Sequence, residues 1–460
     1  MPVSLKAPGR AAKDNKVLIF LALALNLFAG GVVFGWGALV VVLQRYGIYS
    51  WECAPFSESS AGLLNGTTTS TAAPVTTSCT EQLLRLNTVF LCGTFGSMSM
   101  SFPSGLFMDK TSPKSTIFLG IFLHVVGAFL FSISSFTLDL YPVGYFLSGA
   151  AAPCILLGGV TIVATNVEER RKGFVISILN GCYDASAIVW QVYLWLDNSV
   201  VGGVSVTAWF LAYICVVVVL GICTQLIVPG APEPAQEAVE VSVELPSLSP
   251  DAVDVVETPQ EAAVSLKDQP LFEQIKSKEF VTFTCFFCVG LLRFSYYIGS
   301  VDAQLTWLGQ EDGSYTMIFG AILPLGVFST PFIGTLLDRK GLKAGFMAVY
   351  AFKFLHSLIV LLPNIDAQVA GFVTFAIFRG CFFAVASAFL VQTFGPKTFG
   401  RIFGISATIG AVFSLLQSPL LALSVGTQNF AISNLIVLGM TLAIFTMHLF
   451  VYFLAPTKNA

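Results

Sequence analysis

Charge is what this chain has least of. Of its 460 residues only 11% are Asp, Glu, Lys or Arg, against roughly a quarter in soluble proteins. A soluble globule has too much surface to cover with so few. The charges present nearly cancel: 23 Lys plus Arg against 26 Asp plus Glu, net −3, leave no basic field for a nucleic-acid partner. Histidine is scarcer still, with three in the chain, scattered too widely for a metal site. No H-E-x-x-H, G-x-S-x-G or phosphate-cradling P-loop occurs, so a membrane enzyme has no visible catalytic seat and no cofactor is expected. A repeated pore or filter element, which a channel would want, is also missing. Disordered, coiled-coil and collagen-like chains need the opposite compositional biases. What is abundant is apolar: 55% of residues are hydrophobic, with 42 Phe and 40 Gly. That composition belongs to a protein that crosses a membrane many times.

A spanning helix needs about 20 mostly apolar residues. Twelve such runs follow one another, at approximately 17–43, 87–108, 115–135, 140–165, 173–197, 205–228, 280–308, 314–337, 342–363, 368–394, 402–425 and 430–455. They are numbered spans 1 to 12. The first is too long for a signal peptide, and its end, VVVLQRYGIY, has no small-residue cleavage site. Lys and Arg set the orientation. With the termini 1–16 and 456–460 in the cytosol, 18 of 23 lie inside, Arg45 and Arg85 outside, and Arg293, Lys353 and Arg379 within spans.

Other marks agree with that orientation. The sequon Asn65-Gly66-Thr67 and a TTTSTAAPVTTS tract fall in the long first outer loop, 44–86, where glycosylation is expected. Cys53 and Cys79 share that loop, and of the ten cysteines only these two are clearly outside the bilayer. On an oxidising side they form either a disulfide or two free thiols. The other eight fall in spans, where small packing residues are the default and no metal site is expected.

Between 229 and 279 the chain turns acidic, proline-rich and aperiodic. This reads as a cytosolic linker with a short amphipathic helix near Leu271–Ile275. It divides the spans into a six-helix bundle at 17–228 and a second at 280–455. The two are related. Gly105, Asp109 and Lys114 after span 2 stand 229 residues before Gly334, Asp338 and Lys343 after span 8. The same offset of 229 pairs Lys172 with Arg401, Phe174 with Phe403 and Ser177 with Ser406. Two loops in one register mean duplication, the mark of transporters whose halves rock around a central site. The expected architecture is therefore an all-α polytopic membrane protein of two pseudo-symmetric six-helix halves, acting as a monomer on a small-molecule substrate within the bilayer.

The loop pattern G-x-x-x-D-[RK]-x-G-[RK]-[RK] resembles the signature of the major facilitator superfamily. The second copy, Gly334 to Lys343, matches well apart from Leu342; the first departs at Ser112 and Pro113. Gly105 and Gly334 would allow close helix approach. Asp109 and Asp338, with Arg339 and the helix starts marked by Lys172 and Arg401, would form latches at the cytosolic surface. The plainer reading is a solvated positive-inside loop. Phe34-Gly35-Trp36-Gly37, Leu292-Arg293-Phe294, Tyr297-Ile298-Gly299, Phe378-Arg379-Gly380 and Phe399 to Gly404 further resemble the large-neutral-amino-acid facilitators of solute carrier family forty-three and their protist and fungal relatives. That resemblance implies facilitated transport of amino acids, neutral or cationic. A purine nucleobase carrier, also in that family, and a proton-coupled carrier are the alternatives, and a receptor built on a carrier scaffold would be told apart by its lack of transport. A plasma-membrane location is expected, with endomembranes the alternative.

An ionisable group at mid-span costs about 2.5–3.5 kcal/mol on insertion scales, so each is a functional candidate. Arg293 in span 7, Arg379 in span 10 and Asp184 in span 5 are such groups, and Asp302 lies nearer the outer end of span 7. A guanidinium suits a carboxylate and an Asp suits an ammonium; the alternative is pairing with one another. Tyr183, Trp190 and Tyr297 are candidate cavity-lining aromatics, and Gly35 a candidate for exposed backbone. Lys353, His356 and His124 in the outer supporting spans read as structural.

Overall fold

The computed structural model describes residues 16–53, 79–167, 169–228, 266–310, 313–395 and 398–449. Side-chain caps start several helices. Ser112 accepts from Ser115 N at 3.1 Å before span 3 (Pro113–Ile133), and Ser205 from Ala208 N at 3.3 Å before span 6 (Val206–Ile227). Ser277 accepts from Phe280 N at 3.1 Å before span 7 (Lys278–Trp307), and Asn429 from Ala431 N at 3.0 Å before span 12 (Phe430–His448). Span 4 is Tyr141–Asn166 and span 10 is Ala367–Phe394; Leu271–Lys276 forms the short helix expected before span 7.

Among the described residues, nine helices are long and apolar enough to cross a membrane, ten with the bent pair of span 1 taken as one. The other two expected runs are helical but broken and rich in polar groups. Span 2 splits into Thr80–Ser99 and Ser101–Lys110 and buries Gln82, Asn87, Thr94 and Ser97. Span 5 splits into Glu169–Ala185 and Ile188–Ser199 and carries Asp184, Ser186 and Asp197. Polarity inside a span is tolerated where it faces protein rather than lipid. Span 2 also starts earlier than expected. Cys79 Sγ caps it by accepting from Gln82 N, so Arg85 lies in helix and the outer loop ends at Cys79.

The corners after spans 2 and 8 solve one problem in two ways. Gly341 turns the second corner at φ 75°, a conformation that glycine adopts freely. At the first corner Ser112 is extended and caps a helix opened by Pro113. The departures of the first copy from the loop pattern are thus a different, self-consistent turn.

Cys53 and Cys79 are joined by a disulfide, which names one end of the bundle. Next to it Tyr49 donates to Asp139 at 2.6 Å, and Trp51 packs edge-on against Phe136. Burial, with Asp139 adding to it, pushes the Tyr49 phenol well above its usual range, which keeps it a donor. Here the halves close on each other. Trp36–Arg45 of span 1 packs on span 7 and on Ser314–Ile322 of span 8, and Ile188–Ser199 of span 5 also meets Ser314–Ile322. Asn198 Nδ2 of span 5 donates to Met317 Sδ of span 8 at 3.4 Å. At the opposite end the main contact between halves is Ser101–Lys110 of span 2 against Phe399–Ser414 of span 11.

Candidate functional site

Two breaks in the first half create the floor of the site. Span 1 bends by 41° between Lys16–Ala29 and Val32–Arg45, and span 5 breaks between Ala185 and Ile188. The breaks lie against each other. A Cβ on Gly31 would sit 2.6 Å from the Tyr183 carbonyl oxygen, and one on Gly35 2.6 Å from that of Ala187. Only glycine allows backbones so close. Breaking a helix in a bilayer frees carbonyls that need donors. Trp190 Nε1 donates to Val32 O at 2.7 Å, Tyr145 Oη to Val33 O at 3.1 Å, and Tyr213 Oη to Phe28 O.

The second half meets this floor with a break of its own. Span 8 runs Ser314–Ile322, then a 3-10 stretch Leu323–Ser329, then continues in Thr330–Ile359, which also holds span 9. Gly326 lies against the Ala376 carbonyl and Gly380 against Gly326 and Ser329, locking the 3-10 stretch onto span 10. Across the halves, Gly181 of span 5 faces Val327.

Between these breaks Arg379 of span 10 and Asp184 of span 5 form an ion pair at 3.0 Å that joins one half to the other. The guanidinium carbon also lies 4.4 Å from the centre of the Phe34 ring, at the bend of span 1. The two partners are unequally covered: 4% of the Arg379 side chain is exposed but 21% of Asp184. One turn back on the same face of span 5, Asn180 is exposed. Arg379 Nη1 is buried without an acceptor among the described residues. The arrangement is a cation and an anion shared between two halves, with one spare donor and one accessible carboxylate.

The sequence profile of the Major Facilitator Superfamily matches residues 59–416. The chain belongs to that superfamily. Among its relatives is protein FMP42 of Saccharomyces cerevisiae, 25% identical, the alignment covering 86% of this chain and 85% of that protein. Another is the human large neutral amino acids transporter small subunit 3, 23% identical over 87% of this chain and 86% of that one. The bovine equilibrative nucleobase transporter 1 is 27% identical over 91% of each. A crystal structure of a D-xylose-proton symporter superimposes with a TM-score of 0.63 at 12% identity, covering 95% of this chain and 97% of that one, a likeness of fold. This chain is a multi-pass membrane transporter of the superfamily.

Within the facilitator fold the expected site residues separate. Arg379, Asp184 and Tyr183 come together, with Tyr183 wedged over Gly30 and Gly31 and 6.4 Å from Phe34, ring centre to ring centre. Trp190 is 2% exposed, packed against the rings of Phe210 and, edge-on, Tyr213, and spends its N–H on the span 1 bend. It supports the bend of span 1 beneath the ion pair. Gly35 is filled over by Ala187 and Trp190, so its backbone is not open to a substrate. Tyr297 and Arg293 are buried inside the second half beside His356, away from the ion pair. The side chains of Asp109, Lys172 and Asp338, and all of Asn65, lie outside the described residues. Arg339 and Arg401 are exposed.

One expectation is overturned. Among the described residues nothing lies within 4 Å of a would-be Cβ on Gly105 or Gly334, so neither mediates close helix approach there. The glycine that does so at this end is Gly404 of span 11, whose Cβ would sit 2.7 Å from Phe102 Cα of span 2. Phe34 escaped the reading of the sequence as a site residue. The signal was present in the Gly30-Gly31 doublet, which forecasts a bend that turns the next aromatic inward.

Proposed function

We propose that the protein is a facilitative amino-acid carrier, and that the Asp184–Arg379 pair is where the zwitterion binds. The observation that carries this is an ion pair between the halves with an unpaired Arg379 Nη1 and a partly open Asp184. An α-carboxylate would accept from Nη1 and an α-ammonium would donate to Asp184, so neither charge is desolvated alone. The substrate then takes over each partner's opposite charge and the bridge between the halves loosens, which permits rocking. The human large neutral amino acids transporter supports the same reading.

Uniport accords with the three histidines, each engaged elsewhere: His124 with Tyr213, His356 with Arg293 and His448 with Tyr350. Further parts of this reading are a monomer in the plasma membrane, glycosylated at Asn65, with both termini and the 229–279 linker in the cytosol. The test is uptake by the purified chain in proteoliposomes, comparing neutral and cationic amino acids with adenine. Amino-acid uptake at equal internal and external pH, lost in Asp184→Asn, is the expected result. Adenine uptake without amino-acid uptake would transfer the assignment to nucleobases, as the name of the bovine relative suggests. Uptake of neither would leave a receptor.

A further inference from the structure

The second half holds another concentration of charge, away from the ion pair and of one sign only. Arg293 of span 7 is 4% exposed, and Lys353 and His356 of span 9 are 1% exposed each. Arg293 Nη2 donates to His356 Nδ1 at 2.8 Å and to Ser357 Oγ at 2.5 Å. Lys353 Nζ lies 4.2 Å from the centre of Phe286 and 5.1 Å from that of Phe382. Both cations approach the ring of Phe378, Arg293 at 6.0 Å and Lys353 at 5.5 Å. Among the described residues neither is ion-paired with a carboxylate.

The hydrogen bonding is lopsided in the same sense. A guanidinium can only donate, so His356 Nδ1 must accept, and the imidazole proton sits on Nε2. That Nε2 has no acceptor among the described residues, and neither do Arg293 Nε and Nη1. The shortfall is thus three buried donors on two touching side chains, beside a second buried cation. Aromatic faces offset part of the cost of burying positive charge. They supply no acceptor in the plane of the guanidinium, and buried donors left unmade are expensive.

We propose that Arg293, Lys353 and His356 form a binding site for a small monovalent anion, a halide or a carboxylate group, inside the second half. An acceptor-only ligand supplies the missing negative charge and an acceptor for one of these donors, which point in different directions. The site backs onto the substrate site through span 10, where Phe378 faces the cluster and Arg379 pairs with Asp184. The proposal does not depend on which solute the protein carries.

Thermal unfolding of the purified full-length protein tests it, in sodium chloride, sodium acetate or the sodium salt of the bulky sulfonate HEPES at equal ionic strength. Chloride or acetate should raise Tm saturably by about 2 °C or more over HEPES. The rise should vanish in Arg293→Gln and shrink in Lys353→Met. A chloride effect assigns the site to a free halide; an acetate effect without one assigns it to a carboxylate. Either should persist in Arg379→Lys, which separates this site from the ion pair. Should Arg293→Gln fail to fold, chloride-35 line broadening by wild-type protein, reversed by bromide, gives the same answer. Equal Tm in all three salts with no line broadening overturns the proposal.

Discussion

Arg379 makes contacts that a lysine cannot copy: a bond to Asp184, a face laid on Phe34 and a spare Nη1. Arg379→Lys keeps the charge and loses the planar fork. A hydrogen bond to a charged group is worth about 1.5–3 kcal/mol, so uptake normalised to surface protein should fall roughly 10- to 100-fold. Asp184→Asn should fall as far. Trp190 makes the opposite kind of prediction. Trp190→Phe leaves the Val32 carbonyl without its donor, a loss of about 1–3 kcal/mol. It should lower Tm and the amount of folded carrier while leaving the substrate KM unchanged. A changed KM with normal Tm would return Trp190 to the binding surface.

At the scale of the element, what the sequence disclosed and what it hid follow from how much each feature depends on neighbours. Span 6 and span 10 were legible because lipid or core demands an unbroken apolar run. Spans 2 and 5 were legible as helices but their breaks were not, since a break depends on which backbone lies alongside. The Asp184–Arg379 pair was open to the sequence as one alternative among two, because charge in a span must be explained but its partner is set by packing. Gly105 and Gly334 misled for the same reason: a glycine states that close approach is allowed, never that a neighbour is there. The consequence is measurable. Gly404→Ala must push Phe102 and should cut uptake several-fold by holding spans 2 and 11 apart. Gly105→Ala and Gly334→Ala, with open space at both, should transport normally. Equal losses in all three would restore the glycines of the loop pattern to a packing role.

For the whole molecule, the halves meet at the disulfide end and again where span 2 packs on span 11, and the Asp184–Arg379 pair links them a third time. Asn198 with Met317 ties the halves together at the disulfide end. Asn198→Ala removes that bond, so a cysteine placed at Gln44 should react faster with an impermeant maleimide added from outside. An unchanged rate would mean that packing alone keeps the end shut. The same reagent tests the orientation. A tag in the 229–279 linker should be reached only after permeabilisation, and Asn65→Gln should remove a glycan mass shift; the reverse pattern would invert the topology.

The disulfide has a use outside transport. Its two cysteines have Cα atoms 5.8 Å apart, and both are anchored to the first half, Cys79 as the cap of span 2 and Cys53 beside the Tyr49–Asp139 contact. A small folded protein with adjacent termini, inserted between residues 54 and 78, would stand on two feet that belong to one half alone. Such a graft would serve as a handle on particles too small to align by themselves. A fluorophore on it, read against one in the second half, would turn each rocking cycle into a change of distance.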